Sequence, residues 1–264
     1  MLLTLLLGAV IGCVMGLTGA GGGILAVPVL VFGLHMSITD AGPIGLLAVG
    51  IAAAVGAVAG LRKGIVRYKA ALLIAATGVV LTPLGTWLAH RLDTRLLSVA
   101  FALVLLRVAF RSLREFHQPG TGECTRADLP CIRRAANGRF IWTSQCALRL
   151  AGIGSIAGVL SGLLGVGGGF VIVPALQRYT DLVMQSVVAT SLAVIALISL
   201  AGVTTSIFSG HFDFATGLPF SGGAMIGMLI GNMITARFHP HHLKGAFGAI
   251  CLVVAISLVL KALG

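Results

Sequence analysis

Residues 12–30, GCVMGLTGAGGGILAVPVL, return at residues 158–176 as GVLSGLLGVGGGFVIVPAL, with ten of 19 aligned positions identical at an offset of 146. The identities are Gly12/Gly158, Gly16/Gly162, Leu17/Leu163, Gly19/Gly165, Gly21 to Gly23 against Gly167 to Gly169, Val27/Val173, Pro28/Pro174 and Leu30/Leu176. The same offset, without a gap, aligns Gly56/Gly202, Gly64/Gly210, Gly85/Gly231, Arg91/Arg237 and Phe101/Phe247. A chain built this way is one unit written twice, so its fold must arrange two copies around a shared core.

Each copy opens with a glycine cluster inside an apolar segment, and the composition says what surrounds it. The chain is 58% hydrophobic and 9% charged, with a mean hydropathy of +1.07, whereas soluble domains carry roughly 25% charged residues. These values specify an all-α integral membrane protein whose partner is the lipid bilayer. Glycine-broken helices in two homologous halves, set in lipid, point to a transporter with its site between the halves. The net charge of +11 does not indicate a nucleic-acid partner, because the Lys and Arg residues cluster between apolar spans, where orientation by the positive-inside rule accounts for them. The N-terminus has no basic n-region, so no cleavable signal peptide is expected. Cysteines 13, 124, 131, 146 and 251 form no evident disulfide framework, and Cys124 and Cys131 lack the paired spacing of a zinc site.

Apolar runs cover about 1–34, 42–61, 70–89, 96–110, 147–177, 183–208, 214–236 and 243–263. Most fit one crossing of a core about 30 Å thick. The first and fifth are too long, since 34 residues in one helix would extend about 50 Å. With glycines at their middles, each reads as a re-entrant hairpin that breaks and returns to its starting side. The competing reading is one long, tilted, kinked helix. A hairpin plus three crossings makes an odd number per half, so the halves would insert in opposite directions. Charge supports this: Arg62, Lys63, Arg67 and Lys69 have Phe208, Ser209, Asp213 and Ala215 as their equivalents. The inverted arrangement puts 15 Lys and Arg inside and three outside, with both termini outside. The expected division is a first transmembrane repeat over 1–110, a polar cytoplasmic linker over 111–146 and a second repeat over 147–264.

A glycine break lets a ligand approach the main chain, and the helix that follows offers unpaired amides and the positive end of its dipole to an anion. The glycines at 21 to 23 (Gly21, Gly22, Gly23) and 167 to 169 (Gly167, Gly168, Gly169) are therefore the main candidates, with helices expected to start over Ile24–Val27 and Phe170–Val173. Glycines used only for close helix packing are the plainer alternative. Thr18 and Ser161 flank the breaks, Thr190 and Ser191 follow the second hairpin, and Asn232 aligns with Thr86. These uncharged side chains can replace water around an oxyanion. All seven acids fall in loops or at span ends, so no carboxylate is placed to relay protons or bind sodium at mid-membrane. No metal or other cofactor is expected. Stripes such as Gly8/Gly12/Gly16 suit either internal packing or a homodimer.

The paired G-x3-G-x2-G-x-GGG-x4-P motifs, with Val188-Ala189-Thr190-Ser191-Leu192 and Gly210-His211-Phe212-Asp213 in the second half, resemble the sulfite exporter TauE/SafE family, also called the 4-toluene sulfonate uptake permease family. The resemblance covers nearly the whole chain outside the linker. It implies a multi-pass permease of the plasma (inner) membrane that moves a small anionic sulfur-containing substrate, such as sulfite or a sulfonate like sulfoacetate, often outward. Two other readings stay open: a permease for another small solute or a metal ion, and an intramembrane hydrolase using Ser161. The hydrolase reading lacks a histidine inside a span to act as base.

Overall fold

The computed structural model describes residues 1–117, 131, 143–210, 212–235 and 240–263. Most of the 111–146 linker, with its Pro119-Gly120 and Asn137-Gly138 turns, and also Cys124, His211 and Arg237, lie outside the described residues. Apart from one isolated β-bridge, the regular structure of the described residues is helical. The helices are α1 (Leu2–Thr18), α2 (Ala26–Gly33), α3 (Ile38–Arg62), α4 (Tyr68–Arg91), α5 (Thr94–His117), α6 (Ser144–Leu164), α7 (Gly169–Tyr179), α8 (Met184–Phe208), α9 (Phe214–Thr235) and α10 (Pro240–Leu263). A 3₁₀ segment, Gly19–Leu25, joins α1 to α2. The offset of 146 maps both ends of α3 onto α8 and both ends of α5 onto α10, residue for residue. Among the described residues, α3, α4, α6, α8 and α9, with Arg95–Arg114 of α5, are long and apolar enough to cross a membrane.

Helix ends follow local chemistry. Ser37 Oγ accepts the Asp40 N–H at 3.2 Å to cap α3, and Thr143 Oγ accepts the Cys146 N–H at 3.2 Å to cap α6. Asp213 caps α9, accepting the Ala215 N–H at 3.0 Å and the Thr216 hydroxyl at 2.6 Å. The Thr216 hydroxyl, then the Ala215 amide, hold its carboxyl below the usual carboxylate range. Gly165, at φ 71°, ends α6 in a left-handed cap that costs a glycine nothing.

The long segments do turn back on themselves. A Cβ on Gly22 would lie 2.6 Å from the Met15 nitrogen, and one on Gly33 2.8 Å from Leu7 Cδ1, so α2 retraces α1. In the second half the Arg149 guanidinium, near the start of α6, lies 5.6 Å from the ring centroid of Tyr179, at the end of α7. The two breaks differ in form. In the first, Ile24 and Leu25 remain in the 3₁₀ segment and α2 starts at Ala26. In the second, Gly167 and Gly168 also take positive φ and α7 starts at Gly169. The arms are unequal, because α6 has 21 residues and α7 has 11. Pro28 falls in the first turn of α2, where no donor is needed. Pro174 lies within α7 and removes the donor that would reach the Phe170 carbonyl.

Small residues dictate how the helices meet. On α1, Gly8, Gly12 and Gly16 lie on the α9 backbone at Phe220, Ala224 and Gly231–Asn232, while Gly223, Gly227 and Gly231 of α9 lie on Leu5, Ala9 and Cys13. The equivalent helices repeat this: Gly154, Gly158 and Gly162 of α6 lie on Ile74, Gly78 and Thr82–Gly85 of α4. Without side chains in the seam the backbones approach within van der Waals contact, the main attraction between helices in lipid. The Gly8/Gly12/Gly16 stripe is thus covered within the chain. Each hairpin packs on a helix of the other half. At the centre α3 packs on its own equivalent: a Cβ on Gly56 would meet Leu192 Cδ1 at 2.8 Å, and one on Gly202 would meet Leu46 Cδ1 at 2.7 Å. These are one contact seen from both halves, and the numbering shows that α3 and α8 run antiparallel. The two-fold relating the halves is therefore perpendicular to them.

One expectation is overturned. Cys131 and Cys146 form a disulfide, 15 residues apart in sequence. Cys131 also forms a β-bridge with Thr180, just past α7, so one residue ties both ends of the second hairpin together. No spacing rule finds this pair, because one partner sits in a polar connector and the other in the first turn of a span. A closed loop of this size stabilises by about 3 kcal/mol in the chain-entropy description. Reduction, or Cys131→Ser, is expected to lower the apparent melting temperature of the purified protein without changing its helix content, as read by near- and far-ultraviolet circular dichroism.

Candidate functional site

A cavity of about 670 Å³ opens where α1 ends, α7 begins and α8 starts. Gly16 to Gly19 form one wall, Gly169, Phe170, Val173 and Pro174 another, and Met184, Gln185 and Val188 a third. Polar groups are few against this apolar lining: Thr18, Lys63, Arg111, Ser112, Gln177, Gln185 and Asn232. Among the described residues the lining includes two cations and no carboxylate. Gly169 and Phe170 present the N-terminal end of α7, whose first amides have no partner within the helix and carry its positive dipole end.

Three of the residues singled out from sequence line this cavity: Thr18, Gly169 and Asn232. Thr18 Oγ donates to the Val14 carbonyl at 2.7 Å, keeping its lone pairs available. Asn232 is exposed. The others lie elsewhere. Thr190 is buried and its Oγ accepts the Arg67 N–H at 3.1 Å, capping the start of α4. Ser191 Oγ donates back to the Val188 carbonyl at 2.8 Å. Ser161 is buried, and its Oγ has no hydrogen-bond partner. Gly21 lies within the 3₁₀ segment. Gly22 is pressed onto Met15 and Gly168 onto Ala157, where a Cβ would lie 2.6 Å and 2.8 Å from backbone atoms. Those two glycines permit the hairpins to close.

The two breaks meet. A Cβ on Gly23 would lie 3.1 Å from Val49 Cγ1 and 3.4 Å from the Val166 carbonyl oxygen, and one on Gly167 would reach the same Val49 methyl at 3.0 Å. Beside them stands Ser199, fully buried, whose Oγ has no hydrogen-bond partner and lies 3.1 Å from a Cβ built on Gly167. An unsatisfied buried hydroxyl costs about 1–3 kcal/mol, so its position beside both breaks marks it as a candidate donor. Sequence reasoning passed over Ser199 because nothing in the apolar run distinguishes it from back-bonded hydroxyls nearby. It also assigned Lys63 and Arg111 to orientation alone. Their lack of cationic equivalents, Ser209 and Ser257, was the available signal.

Among the described residues, no group of three or more His, Cys, Asp or Glu side chains is placed to hold a metal ion. Residues 4–258 match the family described as sulfite exporter TauE/SafE. The chain belongs to the TauE/SafE family. This TauE/SafE protein is 28% identical to a probable membrane transporter protein of Xylella fastidiosa (strain 9a5c), over 96% of this chain and 92% of that one. It is 24% identical to the probable membrane transporter protein YunE of Bacillus subtilis (strain 168), over 96% and 95% of the two chains. No solved structure matches. The TauE/SafE chain is a multi-spanning membrane transporter and not an enzyme, a multi-pass protein consistent with the plasma membrane.

Proposed function

We propose that this TauE/SafE protein exports small sulfur-containing anions, sulfite or a short sulfonate such as sulfoacetate, by alternating access around the paired glycine breaks. The observation that carries this reading is the cavity: the N-terminal end of α7, Lys63, Arg111 and Asn232 converge on it, with no carboxylate among the described residues that line it. An oxyanion is the ligand these groups fit, because amides, amide side chains and cations all donate hydrogen bonds and none repels negative charge. In this reading the first and second repeats insert with opposite orientations, joined by a cytoplasmic linker, and the antiparallel run of the equivalent helices α3 and α8 supports it. Lys63 and Arg111 then lie on the cytoplasmic side, and the cavity faces the cytoplasm. A monovalent anion leaving the cell gains about 2.3 kcal/mol per 100 mV from the membrane potential, so export needs no coupling carboxylate.

Proteoliposomes preloaded with sulfite or sulfoacetate test the reading. Efflux of at least one anion above empty liposomes is expected. Asn232→Leu removes a donor to a charged ligand, worth about 1.5 kcal/mol or more, and is expected to raise KM about tenfold or more with the protein still monodisperse. Efflux of neither anion from well-folded protein would refute the substrate assignment.

A further inference from the structure

A second cavity, of about 20 Å³, lies elsewhere in the chain, room for about one water. The repeat shows what it is. Every residue lining it except Ala89 and His90 is the 146-offset equivalent of a residue lining the large cavity. Ile38, Thr39, Gly42, Leu46, Thr86 and Gly165 stand for Met184, Gln185, Val188, Leu192, Asn232 and Gly19. The same set of positions thus appears twice, once open and once shut. Exposure follows: Met184 is 43% exposed and its equivalent Ile38 5%, while Asn232 is exposed and its equivalent Thr86 is 6% exposed.

The difference has a local cause. At the small cavity, Gly42 of α3 sits directly on Gly165 at the second break, backbone on backbone. At the large one the equivalent contact is Val188 of α8 against Gly19, where a Cβ on Gly19 would meet the valine Cγ1 at 2.7 Å. A valine side chain spaces α8 from its break, whereas a bare glycine lets α3 close on the other. Because the two-fold is perpendicular to α3 and α8, the two cavities face opposite ends of these helices.

We propose that the small cavity is the collapsed second vestibule of the transport pathway, a binding site for the same anion on the opposite face, which opens as the large cavity shuts. This rests on the alternating-access reading above. Its chemistry differs from that of the open site. Lys63 and Arg111 become Ser209 and Ser257, and the small cavity offers the hydroxyls of Thr39, Thr86 and Ser206 with the imidazole of His90. An anion is held by two permanent cations on the side where it enters and by hydroxyls and one imidazole on the side where it leaves. KM is therefore lower at the face of Lys63 than at the face of Thr86.

Cysteine labelling in membrane vesicles of known orientation tests this without any substrate. Asn232→Cys and Thr86→Cys are reacted with a membrane-impermeant maleimide, after subtraction of the parent chain's own labelling. Asn232→Cys is expected to react from one face and Thr86→Cys, more slowly, from the other. Gly42→Val gives the first half the spacer of the second, and Val188→Gly removes the spacer from the second half. Each is expected to shift the balance between the two states about tenfold, speeding Thr86→Cys and slowing Asn232→Cys together. Two independent variants guard against misfolding of either. Labelling of both cysteines from one face, or no reciprocal change in either variant, would overturn the proposal. Reciprocal labelling without sulfite or sulfoacetate efflux would instead remove the substrate assignment and leave the second vestibule standing.

Discussion

Gly12→Leu is expected to leave no monodisperse protein in fluorescence-detected size exclusion, and even Gly12→Ala to destabilise strongly. A Cβ at this position would lie 2.7 Å from the Ala224 carbonyl carbon and 2.8 Å from its Cα. Nothing there can rotate away, because the obstacle is the backbone of α9. The helices must separate, and separation forfeits the close contact along the whole Gly8/Gly12/Gly16 seam. Overpacking typically costs about 1–3 kcal/mol for ordinary side-chain neighbours. A backbone obstacle puts this site at the top of that range or above it, against total stabilities of about 5–15 kcal/mol. The equivalent Gly158, whose Cβ would lie 2.7 Å from Gly78 Cα, should behave alike. Gly152 supplies the contrast, since a Cβ there meets nothing within 4 Å. Gly152→Ala is expected to raise the melting temperature slightly, because alanine is favoured over glycine in a helix by about 0.5–1 kcal/mol. Equal damage from Gly152→Ala and Gly12→Ala would show that helix propensity, and not the seam, governs these positions.

The second large effect concerns charge. Lys63→Gln with Arg111→Gln is expected to raise the KM for anion efflux about tenfold or more, the result of roughly 0.7 kcal/mol lost per cation where water partly screens each. Ionic strength separates this from a merely structural role. In the parent chain KM should rise with salt, since screening weakens both cations. In the double variant the salt dependence should largely vanish. A variant with raised KM and undiminished salt dependence would place the selecting charge elsewhere.

Much of the fold could be read from the repeat. The offset of 146 that aligns Gly12 with Gly158 also aligns the ends of α3 with those of α8, because equivalent sequence forms equivalent helices. The folding back of the long segments was legible too, since 34 apolar residues exceed one crossing and Gly19 to Gly23 offer the break. The partners of each helix were not legible. Gly8, Gly12 and Gly16 announce a close approach without saying to what, and the answer, Phe220, Ala224 and Gly231–Asn232 of α9, lies more than two hundred positions away. The Cys131–Cys146 bond was hidden because one cysteine sits in a polar connector and the other in the first turn of a span. The candidate site was legible only in part. Thr18, Gly169 and Asn232 line the cavity, but Gly22 and Gly168 serve hairpin closure and Thr190 caps a neighbouring helix. A repeat in sequence is blind to which of two equivalent pockets is open, so the roles of Gln177, Gln185 and Met184 could not be distinguished from those of Val31, Thr39 and Ile38.

The exchange of partners between halves has a consequence for biogenesis. The first hairpin leans on α9, and α4 receives α6, so the N-terminal half cannot complete its packing when it leaves the ribosome. During translation α1 must wait in the bilayer, its glycine seam facing lipid, until residues 223–231 are inserted. Expressed as two separate polypeptides, the halves should therefore be stable only together, each acting as the missing scaffold of the other.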